Sequence, residues 1–338
     1  MEVTELLQKL VERKNLTRDE TKSLLTEVMS GNVFPTQIAA ILTALRMKGE
    51  TVDEITGFIQ AMREHMVRVD FPEAIDVCGT GGDGSNSINI STAVSFVVAA
   101  CGVRVAKHGN RAASSKAGAA DVLDALGVNI NLSAEQAKEV GEKVGMVFLF
   151  APLFHPATKS VAVVRKEIKI RTVFNFLGPF LNPASTERQL IGVPDKEIAE
   201  KLILVGQELG YKHLVIITSE DGIDEVSLSA KTHIFTLKNN QSKHFVIDPA
   251  QYGFKKKEKS EILGGTVAEN AQFLKDILAG KKGSKRDIVI LNSAVALVVA
   301  DIVATIEDGI QLAEQAIDTG AAVKVLDNLI KETQKYAK

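Results

Sequence analysis

At Val69-Asp70-Phe71-Pro72 the hydrophobic period of this chain changes, and that change limits the folds open to it. Before it, apolar residues recur only at helical spacing. Val3, Leu6, Leu7, Leu10 and Val11 follow the i, i+3, i+4, i+7 rule. Leu24, Leu25, Val28 and Met29 form a second stripe, Ile38, Ile41, Leu42 and Leu45 a third, and Ile55, Phe58, Ile59, Met62 and Met66 a fourth. Thr17 to Glu20 and Thr51 to Glu54 have capping-box spacing. Helices this short need a surface to pack on, either the rest of the chain or a second subunit.

Beyond the change, short strand-like runs alternate with helical stretches. Ala74–Cys78, Val103–Lys107, Met146–Phe150 and Leu214–Thr218 read as strands. Ser91–Cys101, Gly118–Leu126 and a segment capped by Ser133 and Gln136 read as helices. Thr266–Lys338 reads as mostly helical. This alternation predicts an α/β fold with a mostly parallel central sheet. Asn239–Lys243 and Lys255–Lys259 read as exposed loops or charged edges.

Composition narrows the function classes. The 338 residues are 45% hydrophobic and 24% charged, enough for a sizeable core. Net charge is −2, with no long basic block, no Trp and 5% aromatics, which argues against a nucleic-acid partner. The apolar stretch Ala93–Val103 is too short to span a bilayer, and the acidic start has no signal-peptide pattern. Cys78 and Cys101 give neither a disulfide framework nor a metal-ligand spacing. A cytoplasmic protein without a membrane partner is expected.

Four glycines fall in Gly79-Thr80-Gly81-Gly82-Asp83-Gly84, directly after the first strand. Such a loop lets backbone N–H groups approach an anion, and the following helix points its positive end nearby. A purely structural turn would use the same letters. So would a dinucleotide fingerprint, but that fold places an acid roughly 20 residues on to hold a ribose. Here the second strand runs into Lys107 and His108. A cation suits phosphate and not a ribose diol. The loop also lacks the G-K-[ST] of a nucleoside-triphosphate loop.

Lys107-His108-Gly109-Asn110-Arg111 ends the second strand, so it should share a crevice with the glycine loop. Ser114, Ser115 and Lys116 follow it. Asn86, Ser87, Asn89, Ser91 and Thr92 lead into the next helix, where capping and ligand binding are compatible. Asp221-Gly222-Ile223-Asp224-Glu225 puts adjacent acids on a loop, where both can face a magnesium-bound diphosphate. An ordinary acidic turn is the alternative. Arg165 lies beside the apolar residues Val161, Val164 and Ile168, either snorkelling to solvent or reading a carboxylate bidentately. Arg171–Pro179 is an apolar segment that could pack in the core or wall off a small aromatic ring.

Taken together, GTGGDG (79–84), NIST (89–92), KHGNR (107–111), SSKAGAADVLDALG (114–127), FHPA (154–157), RTVFNFLGPFLNP (171–183) and GIDE (222–225) resemble the anthranilate phosphoribosyltransferase family. The resemblance implies a fold shared with pyrimidine nucleoside phosphorylases. A small all-helical N-terminal domain (1–70, joined by helices from about 165–186) would be hinged to a larger α/β domain (71–338). It implies a homodimer through the helical domain, 5-phosphoribosyl 1-diphosphate as donor, anthranilate as acceptor, and two Mg2+ ions. Around the donor it places Gly79, Gly82, Asp83, Ser87, Asn89, Ile90, Ser91, Thr92, Lys107, His108, Gly109, Asn110, Arg111, Ala112, Ala113, Ser114, Ser115 and Ala119. At the acceptor it places Gly79, Asn110 and Arg165, with His108, His155 and Pro179 nearby. Ser91, Asp224 and Glu225 would hold metal. Lys107, Asn110 and Arg165 would act through charge and positioning, without a covalent nucleophile.

Two departures stand out. Ala117 and Ala119 replace serines common in the family, and Ser87 replaces a threonine. Rival expectations are a pyrimidine nucleoside phosphorylase, disfavoured by the Asp224-Glu225 pair, and a non-transferase, nucleic-acid-binding homologue of the same fold, disfavoured by near-neutral charge.

Overall fold

The computed structural model describes residues 2–112 and 116–337. The first stretch folds as α1 (Val3–Val11), α2 (Arg18–Met29), α3 (Pro35–Lys48) and α4 (Val52–His65). Both capping boxes form: the Thr17 and Thr51 hydroxyls accept from the backbone N–H of Glu20 and Glu54. Glu54 is fully buried, where it takes hydrogen bonds from Leu16 N (2.9 Å), Thr51 N (2.8 Å) and Lys48 Nζ (2.8 Å). A buried carboxylate with that many donors ties three segments together.

From Ile75 onward the strand–helix alternation appears. In order come β1 (Ile75–Gly79), α5 (Ile90–Ala100), β2 (Val105–Gly109), α6 (Ala119–Ala125), α7 (Ala134–Val144) and β3 (Met146–Phe150). Then follow α8 (Ala151–Phe154), α9 (Lys159–Ile168), α10 (Phe174–Leu177), β4 (Arg188–Gly192), α11 (Lys196–Glu208) and β5 (His213–Ser219). A hairpin of β6 (Thr232–Lys238) and β7 (Gln241–Ile247) precedes α12 (Val267–Leu278), α13 (Ser284–Val299), α14 (Ile306–Asp318) and α15 (Ala321–Gln334). The sheet order is β3-β2-β1-β4-β5-β6-β7, parallel through β5 and antiparallel for the last two strands. The fold is therefore an N-terminal helical part and a larger α/β part with a mostly parallel sheet.

Alternate residues of one strand feed two cores. Leu190, Val215 and Ile217 join the core under α5 and α13. Ile191, Leu214 and Ile216 join the core that holds α11 and the N-terminal helices. Val161, Val164, Val173, Phe176 and Leu177 belong to that second core, so α9 and α10 pack with the bundle. Helices cover both faces of the sheet, as buried parallel strands require.

Asn239 and Asn240, read as an exposed loop or charged edge, form the tight turn of the β6–β7 hairpin, and Gln241–Lys243 open an exposed edge strand. Among the described residues no helix is long and apolar enough to cross a membrane.

Candidate active site

Strand order reverses between β1 and β4, where Gly79 lies in register with Gly192. Ligands in such sheets bind outside the carboxyl ends at this point. Here β1 ends in the glycine loop, β2 ends in the Lys107–Arg111 segment, and β5 leads into the loop carrying Asp224 and Glu225. A cleft of about 480 Å³ opens there, within the usual range for small-ligand sites. Gly79, Gly82, Ser91, Lys107, His108, Gly109, Asn110, Arg111, Ala112, Ala119, Arg165 and Pro179 all line it. The sheet thus brings together residues more than eighty positions apart.

The glycine loop requires its glycines for two different reasons. Gly81, Gly82 and Gly84 have φ of +67°, +73° and +72°, which side-chain-bearing residues rarely adopt. Gly79 and Gly192 are close-approach positions: a Cβ on either would overlap Asp224, at its carboxylate in the first case and its carbonyl in the second. The Asp224 carboxylate accepts from Gly81 N at 2.8 Å. The Thr80 N–H donates to the Gly192 carbonyl at 2.9 Å. Asp224 thereby sits between two strand ends and the loop.

The acids are crowded. Burial, then Asp83, pushes the Asp224 carboxyl up to about 6. Burial, then Asp224, holds Glu225 well above the usual carboxylate range, although Lys107 and the Ser91 N–H oppose this. Asp83 Oδ2 is buried without a hydrogen-bond partner. Such a group of oxygens is suited to a hard divalent cation. Among the described residues no three His, Cys, Asp or Glu side chains could hold a metal by themselves. Magnesium bound by few carboxylates and completed by a substrate's phosphates matches that arrangement.

Lys107 does not extend into the cleft as a free cation. It is 2% exposed, and its Nζ donates to the Val77 carbonyl (2.8 Å) and to Ser91 Oγ (3.2 Å). It therefore lies under the loop, joining β1 to the start of α5. Burial lowers its pKa, while Asp76, Cys78 and Glu225 raise it. Arg111 is also engaged, with Asp121 at 2.8 Å and Asp124 at 3.0 Å. Asn110 is exposed and accepts from Arg111 N through Oδ1. Asn89 donates to the Ala117 carbonyl at 3.1 Å, and its Oδ1 is buried without a partner. Ile90 and Thr92 are buried in the α5 core, so only their backbones face the loop side. Ser87 bridges to Leu263. Ala113, Ser114 and Ser115 lie outside the described residues.

Arg165 is half-buried, its guanidinium 5.6 Å from the Phe174 ring centre and without an ion pair or side-chain hydrogen bond among the described residues. Burial lowers its pKa. A guanidinium without an anionic partner, over an aromatic face at a cleft wall, has the geometry to pair with a carboxylate. His108 and His155 stack edge-to-face at 5.2 Å. Burial pushes their pKa values down to about 3 and about 4, so both are neutral. His155 is buried beside the cleft, while Asp83, Asp224 and Glu225 are part-exposed next to the glycine loop.

Some participants escape sequence reasoning. Gln189 is fully buried and donates to Asp76 Oδ2 (3.1 Å) and the Pro179 carbonyl (2.7 Å), and accepts from Tyr211 Oη (2.9 Å). It fixes the cleft floor from below. Arg171 donates to the Gly82 carbonyl at 3.2 Å, linking the segment after α9 to the glycine loop. Gln189 sits in no pattern that a single sequence reveals, and Arg171, although it opens the segment read as a possible ring wall, gave no sign of bonding the glycine loop.

Comparison with known proteins gives one answer. The family model "Glycosyl transferase family, helical bundle domain" matches residues 4–66, and "Glycosyl transferase family, a/b domain" matches residues 71–323. The anthranilate phosphoribosyltransferase of Dehalococcoides mccartyi is 47% identical over 338 residues, covering 99% of each chain. That of a Geobacillus species is 46% identical, covering 98% of this chain and 99% of the relative. The crystal structure of the Thermus thermophilus enzyme superposes with a TM-score of 0.91 at 35% identity, covering 97% and 99%. The Saccharomyces cerevisiae enzyme in complex with PRPP and Mg gives 0.90 at 28% identity, covering 98% of each chain. With its cleft, its paired domains and these full-length relatives, the chain belongs to the anthranilate phosphoribosyltransferase family of glycosyl transferases.

Proposed function

We propose that this enzyme transfers the 5-phosphoribosyl group of 5-phosphoribosyl 1-diphosphate to the amine of anthranilate, giving N-(5-phosphoribosyl)anthranilate and diphosphate, a step of tryptophan biosynthesis. The observation that carries this reading is the single cleft between the glycine loop and Arg165, with opposite chemistry at its two ends. One end offers backbone N–H groups, the α5 N-terminus and carboxylates for a magnesium-bound diphosphate. The other offers a cation over an aromatic face, suited to the carboxylate of a flat ring.

The chemistry is displacement at the ribose anomeric carbon. The amine nitrogen forms a bond to that carbon as the carbon–oxygen bond to diphosphate breaks, the electron pair leaving with diphosphate. The amine then loses its proton. An aromatic amine is neutral near pH 7 and attacks without a strong base, which suits a site whose histidines are both neutral. Magnesium, two ions by the family resemblance, would sit among Ser91, Asp224 and Glu225 and neutralise the leaving group. Glycine-loop N–H groups and α5 add positive potential on that side. Lys107 acts from beneath: its buried ammonium offsets Glu225 and holds the loop to α5. Arg165 and Asn110 orient the acceptor. Ala119 presents a methyl group to the cleft, so donor contacts there come from backbone groups.

A homodimer through the helical part is part of the proposal. Val11, Phe34 and Met47 are exposed apolar side chains on that part which such an interface could cover.

The test is magnesium-dependent loss of anthranilate fluorescence in the presence of donor. Arg165→Ala should raise the anthranilate KM about tenfold or more with little change in donor KM, the size expected when a charge-assisted contact is lost. Asp224→Asn should remove most magnesium-dependent activity. Phosphorolysis of thymidine by the wild type, without transferase activity, would replace this reading with a nucleoside phosphorylase.

A further inference from the structure

The segment 258–265 lies outside the cleft, yet it touches both loops that would hold the donor. Ser87 and Leu263 form an antiparallel bridge. The Ile88 N–H donates to the Ile262 carbonyl at 3.0 Å, and the Gly264 N–H to the Asn86 carbonyl at 2.8 Å. The strap thus adds a short strand to the stretch leading from the glycine loop into α5. Gly264 has to be glycine, because a Cβ there would lie 2.8 Å from the Ser87 carbonyl oxygen. At its other end, Lys259 Nζ donates to the Asp221 carbonyl, at the start of the acidic loop. One strap therefore spans the diphosphate side and the metal side.

The strap is held in turn from α13. Lys285 Nζ donates to the carbonyls of Glu261 (2.9 Å) and Leu263 (2.7 Å), and its ammonium lies 4.7 Å over the Phe273 ring. Ser284 Oγ donates to the Glu261 carboxylate. Among the described residues, Lys285 is the one side chain that grips the strap backbone on both sides of Ile262, whose carbonyl receives Ile88 N–H. Two charge-assisted bonds to neighbouring carbonyls fix the path of that short stretch.

We infer that Lys285 is a positioning residue for the donor: through the 258–265 strap it sets the register between the glycine loop and the acidic loop, and so tunes affinity for the magnesium diphosphate group without touching substrate. This rests on the function proposed above. Among the described residues no hydrogen bond joins the strap to α9 or α10, which carry Arg165 and Phe174, so its direct ties are to the donor side.

The experiment is steady-state kinetics of the full-length enzyme with Lys285→Met, which keeps the stem over Phe273 and removes the donor hydrogens, and with Lys285→Arg, which restores them. Lys285→Met should raise the donor KM about tenfold, equivalent to about 1.4 kcal/mol, while changing the anthranilate KM less than about twofold. Lys285→Arg should recover most of the donor KM. Should Lys285→Met fail to fold, Lys259→Met, at an exposed position, cuts the strap's other tie and should also raise the donor KM selectively. An unchanged donor KM, or equal rises in both KM values, in an enzyme whose wild type is active overturns the inference. A wild type inactive with anthranilate and donor overturns the proposed function instead.

Discussion

Two glycines facing the same aspartate make different demands. At Gly79 an added methyl would meet the tip of the Asp224 side chain, which can rotate away. At Gly192 it would meet the Asp224 carbonyl, which cannot move without the loop. Gly79→Ala should therefore fold near normally and lose metal affinity, because the displaced carboxylate is the proposed metal ligand. Gly192→Ala should lose roughly 1–3 kcal/mol of stability, the usual cost of overpacking, as well as activity. Urea unfolding alongside a magnesium titration of activity separates the two. Equal stability loss in both would show that Asp224 is held too rigidly to rotate. Gly79 was legible as part of a glycine run. Gly192 was not, since it is a lone glycine before Val193-Pro194 and its partner lies on another strand's loop.

At the scale of elements, the readable pieces were those whose pattern is local. Capping boxes and apolar stripes mark α1 to α4, and the parallel strands β1, β2, β3 and β5 read as short, mostly apolar runs set between helical stretches. β4 did not, because its buried Gln189 breaks the apolar run to bond Asp76 and Tyr211. β7 did not, because an edge strand with six exposed residues looks like a charged loop. Lysine on such an edge discourages pairing with another chain. The β6–β7 turn is decided by Asn239 and Asn240, with φ of +50° and +62°. A two-residue turn of this hand prefers glycine second. Asn240→Gly should stabilise the protein by up to about 1 kcal/mol, since asparagine is strained there and glycine is not. A small rise in Tm by calorimetry is expected. A fall would mean that the Asn240 side chain contributes more than its backbone costs.

For the whole molecule, the sheet is a shared wall between two cores, and the site lies where the helical part meets its carboxyl edge. His108 and His155 occupy that meeting place. The backbone carbonyls of Gly178 and Leu181 lie near the two rings, and the Nε2 atoms are buried without partners. Charging either ring would bury an unpaired N–H. This links the fold to pH with a definite sign. The His155 pKa is lowered from 6.5 to about 4 in the folded chain. Between those values the unfolded chain binds a proton that the folded chain refuses, so stability falls as pH drops below about 6.5 and levels off below about 4. Asp76, pushed up to about 6 by burial, works in the opposite direction, as the folded state then holds the extra proton. The raw pH profile therefore mixes both. Comparing the wild type with His155→Gln cancels the Asp76 contribution. At about 1.36 kcal/mol per unit, the wild type should lose roughly 2 kcal/mol more than the variant between pH 7 and pH 5. His108 stays neutral across that range in either protein, because its own burial is the main cause of its low value. Urea unfolding at the two pH values measures the difference. Parallel losses in the two proteins would mean that the His155 ring takes up its proton in the folded state near 6.5, and that the wall between the cores admits water there.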